Sequence, residues 1–184
     1  MSMGKPFRRL IAAASAALAI GIGSAAWAAT SASAASAPAT VKACTAGQLS
    51  VWISPDALNG AAGTFYYPLE FTNHSGHACA TGGYPGVSAL GANGKQLGLA
   101  AARNHVYAGK VVTIPAGGTA HALFAYGNAE VSSSGCKPKT AMELRVYPPN
   151  SKTAIHAFFD LPSCSLGGRH VYLTVAVIQP GTNI

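Results

Sequence analysis

Charged residues are scarce in this chain of 184 residues, at 9% of the sequence, and only five residues are acidic. An acidic or mixed-charge disordered protein and a long coiled coil both need far more charge than this, so both classes are excluded. Hydrophobic residues make up 49% of the chain, and 21 glycines and 11 prolines are available to interrupt it. This combination is typical of many short strands that are joined by tight turns.

The sequence also lacks a cluster of basic residues, although its formal net charge is +7. Lys5, Arg8 and Arg9 lie at the very start of the chain, and the largest later group is the pair Lys137 and Lys139. Nucleic-acid binding would need a basic stripe that is interleaved with stacking aromatic residues. Since no such stripe is visible in the sequence, we do not expect a nucleic-acid partner.

A short apolar run follows the first basic residues. It extends from Leu10 to Ile22, which is shorter than the about 20 residues that a membrane-spanning helix requires. Small residues then flank Trp27 in the pattern that signal peptidase cleaves. We therefore predict a secretory signal peptide over residues 1–28. Counting on to Ala29 would reach a spanning length, so an uncleaved membrane anchor is the alternative.

Small residues dominate the segment that follows the signal peptide, from Ala29 to Thr40. Such a segment cannot bury enough apolar surface to offset the entropy lost on ordering it. We predict a disordered tether over residues 29–43 and a folded domain over residues 44–184. We expect the exported chain to be secreted or associated with the cell envelope, without stable membrane insertion once the signal peptide is removed.

Four cysteines remain after the signal peptide: Cys44, Cys79, Cys136 and Cys164. An even number of cysteines in an exported domain indicates disulfides. No two of them have the C-x-x-C spacing of zinc sites, which argues against a metal site built on cysteines. Three pairings are possible. We favour Cys44–Cys79 with Cys136–Cys164, because each bond then ties neighbouring stretches in a succession of strands.

Apolar residues alternate with polar ones at the period of a β-strand. In Thr64–Thr72, one face carries Phe65, Tyr67, Leu69 and Phe71. Pro68 lies within this segment, which indicates an edge strand or a bulge. Similar patterns predict strands at Leu49–Ile53, Lys110–Pro115, Thr119–Tyr126, Thr140–Tyr147, Ala154–Asp160 and His170–Ile178.

Turn residues occupy the gaps between these predicted strands. They are the pairs Asn59-Gly60, Pro85-Gly86, Asn93-Gly94 and Gly117-Gly118. Seven or more short strands with such turns, and no helical period after the signal peptide, are typical of a two-layer β fold. The sequence therefore predicts an all-β, immunoglobulin-like antiparallel β-sandwich with two disulfides.

One segment carries a longer motif. It reads Phe71-Thr72-Asn73-His74-Ser75-Gly76, followed by Cys79 and then by Gly83-Tyr84-Pro85-Gly86-Val87. This motif resembles the signature of the secreted actinobacterial family called domain of unknown function 4232, over about Cys44 to Gln179. The resemblance implies an exported, disulfide-bearing β-sandwich in which Cys136 and Cys164 form the second cysteine pair. It implies no activity.

The same motif also has a structural interpretation. Asn73 and Ser75 can cap backbone groups and Gly76 can adopt a left-handed conformation, so we predict a turn after the strand. Pro85 and Gly86 suit the two central positions of a type II turn.

Residues that could support metal chemistry are sparse. His74 and His77 are close in sequence, but no acidic residue or free thiol lies near enough in the sequence to complete a metal site. Met142 alternates with Leu144 and Val146, so we expect it in the core rather than in a copper site. We therefore expect no metal and no cofactor.

Catalytic motifs are not apparent either. Three of the five acidic residues, Glu70, Glu143 and Asp160, are predicted on outward strand faces, and nothing in the sequence selects a catalytic pair. We expect a non-catalytic module that binds or scaffolds an envelope glycan or protein through its loops. Polar and aromatic residues near turns are the candidate contacts: His74, His77, Tyr84, Arg103, His105 and Tyr107.

Two alternative functions stay open at this point. A small secreted hydrolase would need a serine or carboxylate within hydrogen-bonding reach of a histidine in a pocket. The histidines considered for this role are His105, His121, His156 and His170. A metal-binding exported protein is the other alternative.

Overall fold

The computed structural model describes residues 40–55, 58–61, 63–127, 136–165 and 171–182. The predicted signal peptide and the predicted tether up to residue 39 lie outside these residues. Within the described ranges the chain forms one short 3-10 helix, Ala46–Gln48, and a series of strands. The strands are β1 (Leu49–Ile53), β2 (Leu58–Ala61), β3 (Thr64–Asn73), β4 (Cys79–Thr81), β5 (Gly86–Leu90), β6 (Gln96–Leu97), β7 (Ala102–Asn104), β8 (Val112–Ile114), β9 (Thr119–Gly127), β10 (Lys137–Tyr147), β11 (Ile155–Ser165), β12 (Leu173–Ala176) and β13 (Gln179–Pro180).

The strands form two main sheets, which we call the large sheet and the small sheet, and one separate pair of strands. The large sheet has the order β1-β3-β9-β12-β7, with β2 paired to β3 and β13 paired to β9. The small sheet has the order β11-β10-β5-β6, and β4 pairs with β8 in a separate two-stranded sheet. The predicted all-β sandwich is confirmed. One pair, β12 with β7, runs parallel and so departs from the predicted antiparallel arrangement.

The core lies between one face of each main sheet. Leu69, Phe71 and Phe124 from the large sheet and Leu144 and Val146 from the small sheet are fully buried and belong to one cluster. Each side chain of this size contributes about 1.5–3 kcal/mol when it is removed from water. The burial of these alternating apolar residues therefore holds the two layers together.

The two predicted disulfides, Cys44–Cys79 and Cys136–Cys164, are both present. The first joins β4 to the segment before β1. Two backbone hydrogen bonds join the same two segments. Ala80 N–H of β4 donates to the Lys42 carbonyl at 2.8 Å, and Cys44 N–H donates to the Ala80 carbonyl at 2.8 Å. Hydrogen bonding to the domain thus begins two residues before the predicted boundary at Cys44.

Pro68 occupies a central strand, so the predicted edge position is wrong. β3 lies between β1 and β9. The Pro68 carbonyl accepts a hydrogen bond from Ser54 N–H at 3.0 Å, so Pro68 presents its nitrogen, which carries no hydrogen, to the same side. β1 ends at Ile53, immediately before this position. The proline therefore lies where the neighbouring strand stops and no ladder hydrogen bond is lost.

Met142 was expected in the core, and this prediction is wrong. The side chain is 49% exposed, whereas Ala141 and Leu144 on either side are fully buried. The register between β10 and β11 shifts between Ala141 and Glu143, which marks a β-bulge or irregularity. Such a shift resets the alternation of faces along the strand and turns Met142 outward.

The predicted glycine turns are only partly correct. Gly94 and Gly117 have φ angles of 71°, as their turns require. Gly60 and Gly86 instead lie in β2 and β5, and neither they nor Gly76 has a positive φ. The predicted type II turn at Pro85-Gly86 and the left-handed Gly76 are therefore wrong. Close to Pro85-Gly86, the glycine that does have a positive φ is Gly83, at 105°.

Candidate functional site

Three of the six candidate contact residues come together in space. Tyr84 follows β4, Arg103 lies in β7, and His105 follows β7 directly. The Tyr84 hydroxyl is 2.9 Å from His105 Nδ1, and the two rings meet edge to face with centroids 5.3 Å apart. The Arg103 guanidinium carbon lies 5.2 Å from the centroid of the Tyr84 ring. We call these three residues the loop cluster.

The backbone around the loop cluster is fixed by the large sheet. β7 runs parallel to β12, and Arg103 is paired with Val175. Its partner Val175 is buried, whereas Arg103 is exposed and lies in the edge strand of the large sheet. Ile178 N–H donates to the Gly83 carbonyl at 3.0 Å, which fixes the residue before Tyr84.

A cavity of about 530 Å³ has Gly83, the residue before Tyr84 in the chain, in its wall. We call this cavity the groove. Its wall includes Val41, Ala43, Ala80, Thr81, Gly82, Gly83, Gly109, Lys110, Val111 and Asn150. A Cβ at Gly82 would lie 2.9 Å from the Lys110 carbonyl oxygen, so the close approach of these two segments requires glycine. Val111 is 76% exposed and supplies an apolar surface beside Lys110.

Positive charge predominates around the groove and the loop cluster. Lys110 lines the groove, and Arg103 belongs to the loop cluster. Among the described residues, no carboxylate lines the groove or contacts the cluster. The arrangement therefore favours a ligand that carries acceptor oxygens, because guanidinium and ammonium groups only donate hydrogen bonds.

His74 and His77 do not join the loop cluster. They lie in the turn before β4, at the opposite end of that strand from Tyr84, and both are exposed. Their backbone has a structural role, since the His77 carbonyl accepts from Asn73 Nδ2 at 2.8 Å and His74 N–H donates to Gln48. Tyr107 is half-buried in the loop between His105 and the groove.

Sequence reasoning missed the groove residues. The predicted strand begins at Lys110 and includes Val111, whereas β8 begins two residues later, at Val112. The adjacent glycines Gly82 and Gly83 were the available signal. Two successive glycines before a tyrosine indicate a close backbone approach, although nothing in the sequence says which segment approaches.

One histidine has a carboxylate within hydrogen-bonding reach. His156 Nδ1 lies 2.9 Å from Glu143 Oε1, with the two side chains 49% and 24% exposed. The pair lies on neighbouring strands of the small sheet, and neither residue lines one of the cavities described for this chain. The pair is therefore partly exposed and lies outside these cavities, so it lacks the enclosed setting that tunes a catalytic pair. His170 lies outside the described residues.

Metal ligands do not assemble in the part of the chain that the structure covers. No group of three or more histidine, cysteine, aspartate or glutamate residues is placed there to hold a metal ion. The same residues contain no helix with the length and hydrophobicity needed to cross a bilayer.

Comparison with known proteins gives one match. The sequence profile of the family described as Domain of unknown function (DUF4232) matches residues 44–179. Neither the curated proteins nor the solved structures give a match.

Proposed function

The chain belongs to the DUF4232 family, and we propose that it is a non-catalytic binding module that acts outside the cytosol, at the cell envelope. The observation that supports a binding role is the loop cluster beside the groove. It places an aromatic ring and an imidazole on loops, and a guanidinium on the adjoining strand β7, at one end of a rigid sandwich. Loops on a rigid scaffold are the usual position of binding residues.

The charge around the groove suggests the class of ligand. Arg103 can donate two parallel hydrogen bonds to a carboxylate or phosphate, and Lys110 adds an ammonium group nearby. Tyr84 supplies a ring against which an apolar face can pack. We propose an envelope glycan that carries carboxylate or phosphate groups as the ligand.

The covalent structure supports an oxidising location. Both disulfides are formed, and the described residues contain no free cysteine. Structural disulfides persist outside the cytosol and are rare within it. The signal peptide that the sequence predicts over residues 1–28 would deliver the chain to that compartment.

Co-sedimentation with purified envelope fragments of the source organism tests this proposal. Disulfide-bonded chain comprising residues 29–184 is mixed with the fragments, and the bound fraction is measured as the salt concentration rises. We expect the double variant Arg103→Ala, Lys110→Ala to bind at least tenfold more weakly than the wild type. His77→Ala, at the other end of β4, serves as the matched control and is expected to bind like the wild type.

Two results would overturn the proposal. The first is equal sedimentation of the wild type and the double variant, and the second is no sedimentation of either. Release of soluble sugar during incubation with the wild type would contradict the non-catalytic role and favour the hydrolase alternative.

A further inference from the structure

Four side chains form a continuous row across the large sheet, on the face that points away from the core. Trp52 of β1 is paired with Glu70 of β3, Glu70 with His121 of β9, and His121 with Gln179 of β13. Neighbouring strands lie about 4.8 Å apart, so the row is about 14 Å long. We call it the outer row, and it is separate from the loop cluster.

Glu70 is the unusual member of this row. It is 4% exposed, although its neighbours in sequence, Leu69 and Phe71, are the residues that point into the core. No hydrogen-bond donor or cation among the described residues contacts its carboxyl group. A buried carboxylate without a partner is costly, so its presence calls for an explanation.

The Glu70 oxygens are not sealed off. Among the described residues, Arg145 Nε is the one side-chain nitrogen or oxygen atom that is both shut off from solvent and without a partner. The Glu70 oxygens also have no partner, so they keep some contact with solvent. A ligand group can therefore reach them.

His121 presents a second acceptor beside Glu70. Its Nδ1 lies 2.7 Å from the Gly181 carbonyl oxygen, which can only accept, so Nδ1 carries the proton. In the neutral imidazole the other nitrogen, Nε2, then offers a lone pair. Glu70 and His121 also form a close cross-strand pair. Asn73 exchanges hydrogen bonds with the β9 side of the sheet, and the alternation along β3 makes Glu70 a residue that bonds toward β1.

Gln179 and Trp52 complete the row. Gln179 Nε2 donates to the Ala108 carbonyl at 3.4 Å, so its side-chain oxygen is left as an acceptor. Trp52 is 44% exposed and offers an indole face at the other end. The row thus combines three acceptors with an aromatic ring, and it contributes no cation of its own while His121 is neutral.

We propose that the outer row binds a primary ammonium group on an unbranched alkyl stem, as in a lysine side chain. An ammonium group has three donors and no acceptor, which matches the three acceptors of the row. Its charge complements the Glu70 carboxylate, and the indole of Trp52 adds a cation–π contact or packs against the stem.

The direction in which the pKa of Glu70 is shifted fits this proposal. Burial raises the pKa of Glu70 above its ordinary value, because the charged form has lost water and gained no partner. A bound ammonium group would restore a partner and lower that pKa again. Other titratable groups on this face are His121 across the ladder and Tyr66 on the same strand, whereas β1 and β13 place Trp52 and Gln179 there.

The sequence provides a clean spectroscopic probe. The chain has two tryptophans, Trp27 and Trp52, and the first lies in the predicted signal peptide. In chain comprising residues 29–184, tryptophan fluorescence therefore reports on the outer row alone. Glutamate labelled with ¹³C at the carboxyl carbon adds a signal from Glu70 itself.

The test is a titration with Nα-acetyl-lysine methylamide, n-butylammonium chloride and the uncharged Nα-acetyl-norleucine methylamide. We expect both amines to give a saturable change in Trp52 fluorescence and in the Glu70 carboxyl signal, and the norleucine compound to give none. Equal affinity for the two amines assigns recognition to the alkylammonium group itself, and tighter binding of the lysine compound assigns it to a peptide side chain.

Two variants separate this site from the rest of the surface. Glu70→Gln keeps the shape of the side chain and is expected to weaken amine binding at least tenfold. Glu143→Gln removes a carboxylate from the small sheet and is expected to bind like the wild type. No saturable change, equal binding by Glu70→Gln, or equal binding of the norleucine compound would overturn the proposal. None of these outcomes bears on the groove, whose test uses Arg103 and Lys110.

Discussion

Asn73 Oδ1 accepts two hydrogen bonds from Ser75, one from its backbone N–H at 3.0 Å and one from its hydroxyl at 2.7 Å. The amide nitrogen of the same side chain donates to the carbonyl oxygens of His77 and Ile114 at 2.8 and 3.1 Å. Asn73 is fully buried. A single side chain thus joins the turn before β4 to the end of β8.

We expect Asn73→Ala to lower the free energy of unfolding by about 3 kcal/mol, because one buried and three part-buried backbone groups would lose a hydrogen bond at once. Urea denaturation of chain comprising residues 29–184 measures this. Asn93→Ala is the matched control, since Asn93 Oδ1 accepts from Lys95 N–H at 3.1 Å in an exposed turn. We expect it to cost less than about 1 kcal/mol. Similar costs for the two variants would contradict the role of Asn73 as a buried junction.

The disulfide Cys44–Cys79 closes a segment with a sequence separation of 35. On the loop-entropy model such a crosslink stabilises the fold by about 4 kcal/mol, mainly by restricting the unfolded chain. We expect the double variant Cys44→Ala, Cys79→Ala to lose about that much in urea denaturation. The matched pair Cys136→Ala, Cys164→Ala, with a separation of 28, should lose nearly the same amount. A loss below about 1 kcal/mol from either pair would contradict this prediction.

Strand β1 shows where the sequence was sufficient. Leu49, Val51 and Ile53 are buried and alternate with exposed Ser50 and Trp52, and the predicted bounds coincide with the observed ones. Clean alternation arises where one face meets the core and the other meets solvent, so the pattern itself carries the information.

Strand β5 shows why other elements were missed. Residues 87 to 90 are buried on both faces, so no alternation appears, and the strand begins at a Pro-Gly pair that suggests a turn. β4, β6 and β7 are only two or three residues long, which is too short for a period to be recognised.

The candidate site was only partly accessible to sequence reasoning. Tyr84 and His105 were both named as candidates, but their contact joins residues 21 positions apart and depends on the packing of β7 beside β12. Glu70 was correctly placed on an outward face, and its burial was not anticipated. Burial of an outward residue depends on the size of its cross-strand neighbours, and register is needed to know which those are.

Tyr172 joins two parts of the sandwich through its hydroxyl group. It donates to the Leu97 carbonyl at 3.0 Å and is hydrogen-bonded to the buried Ser163 hydroxyl. We expect Tyr172→Phe to lower the free energy of unfolding by about 2 kcal/mol, because both partners would be left unsatisfied. Tyr66→Phe is the control, and we expect a change of less than about 0.5 kcal/mol, since no hydrogen bond to the Tyr66 hydroxyl exists within the described structure. Equal effects of the two variants would contradict this assignment.

Gly98 lies directly against the Tyr172 ring. Its φ is 65°, and an added Cβ would lie 2.5 Å from Tyr172 Cε1. Gly94 has a φ of 71° but open space around it, so Gly94→Ala measures the backbone strain alone. We expect Gly94→Ala to cost about 1 kcal/mol and Gly98→Ala about 3 kcal/mol in thermal denaturation. If Gly98→Ala is no worse than Gly94→Ala, the ring does not press on this glycine.

The buried carboxyl group of Glu70 makes the stability of the fold depend on pH. Burial raises the pKa of Glu70 above its ordinary value of 4.5, so the folded state prefers the protonated form. Its favourable contribution is complete below pH 4.5 and is lost as the pH rises through the folded-state pKa. We therefore expect Glu70→Gln to be more stable than the wild type at pH 7, by on the order of 1 kcal/mol, with the difference narrowing toward pH 4.

Thermal denaturation of both proteins across pH 4 to 8 measures this difference. His121 and Tyr66, the other titratable residues on that face, are unchanged in the variant. Glu143→Gln provides the contrast, because Glu143 has a partner in His156 at 2.9 Å and its side chain is 24% exposed. We expect it to be no more stable than the wild type at pH 7. If Glu70→Gln melts at a lower temperature than the wild type at pH 7, the Glu70 carboxylate already has a stabilising partner. A bound cation would then not be required as the partner of Glu70 in the outer row.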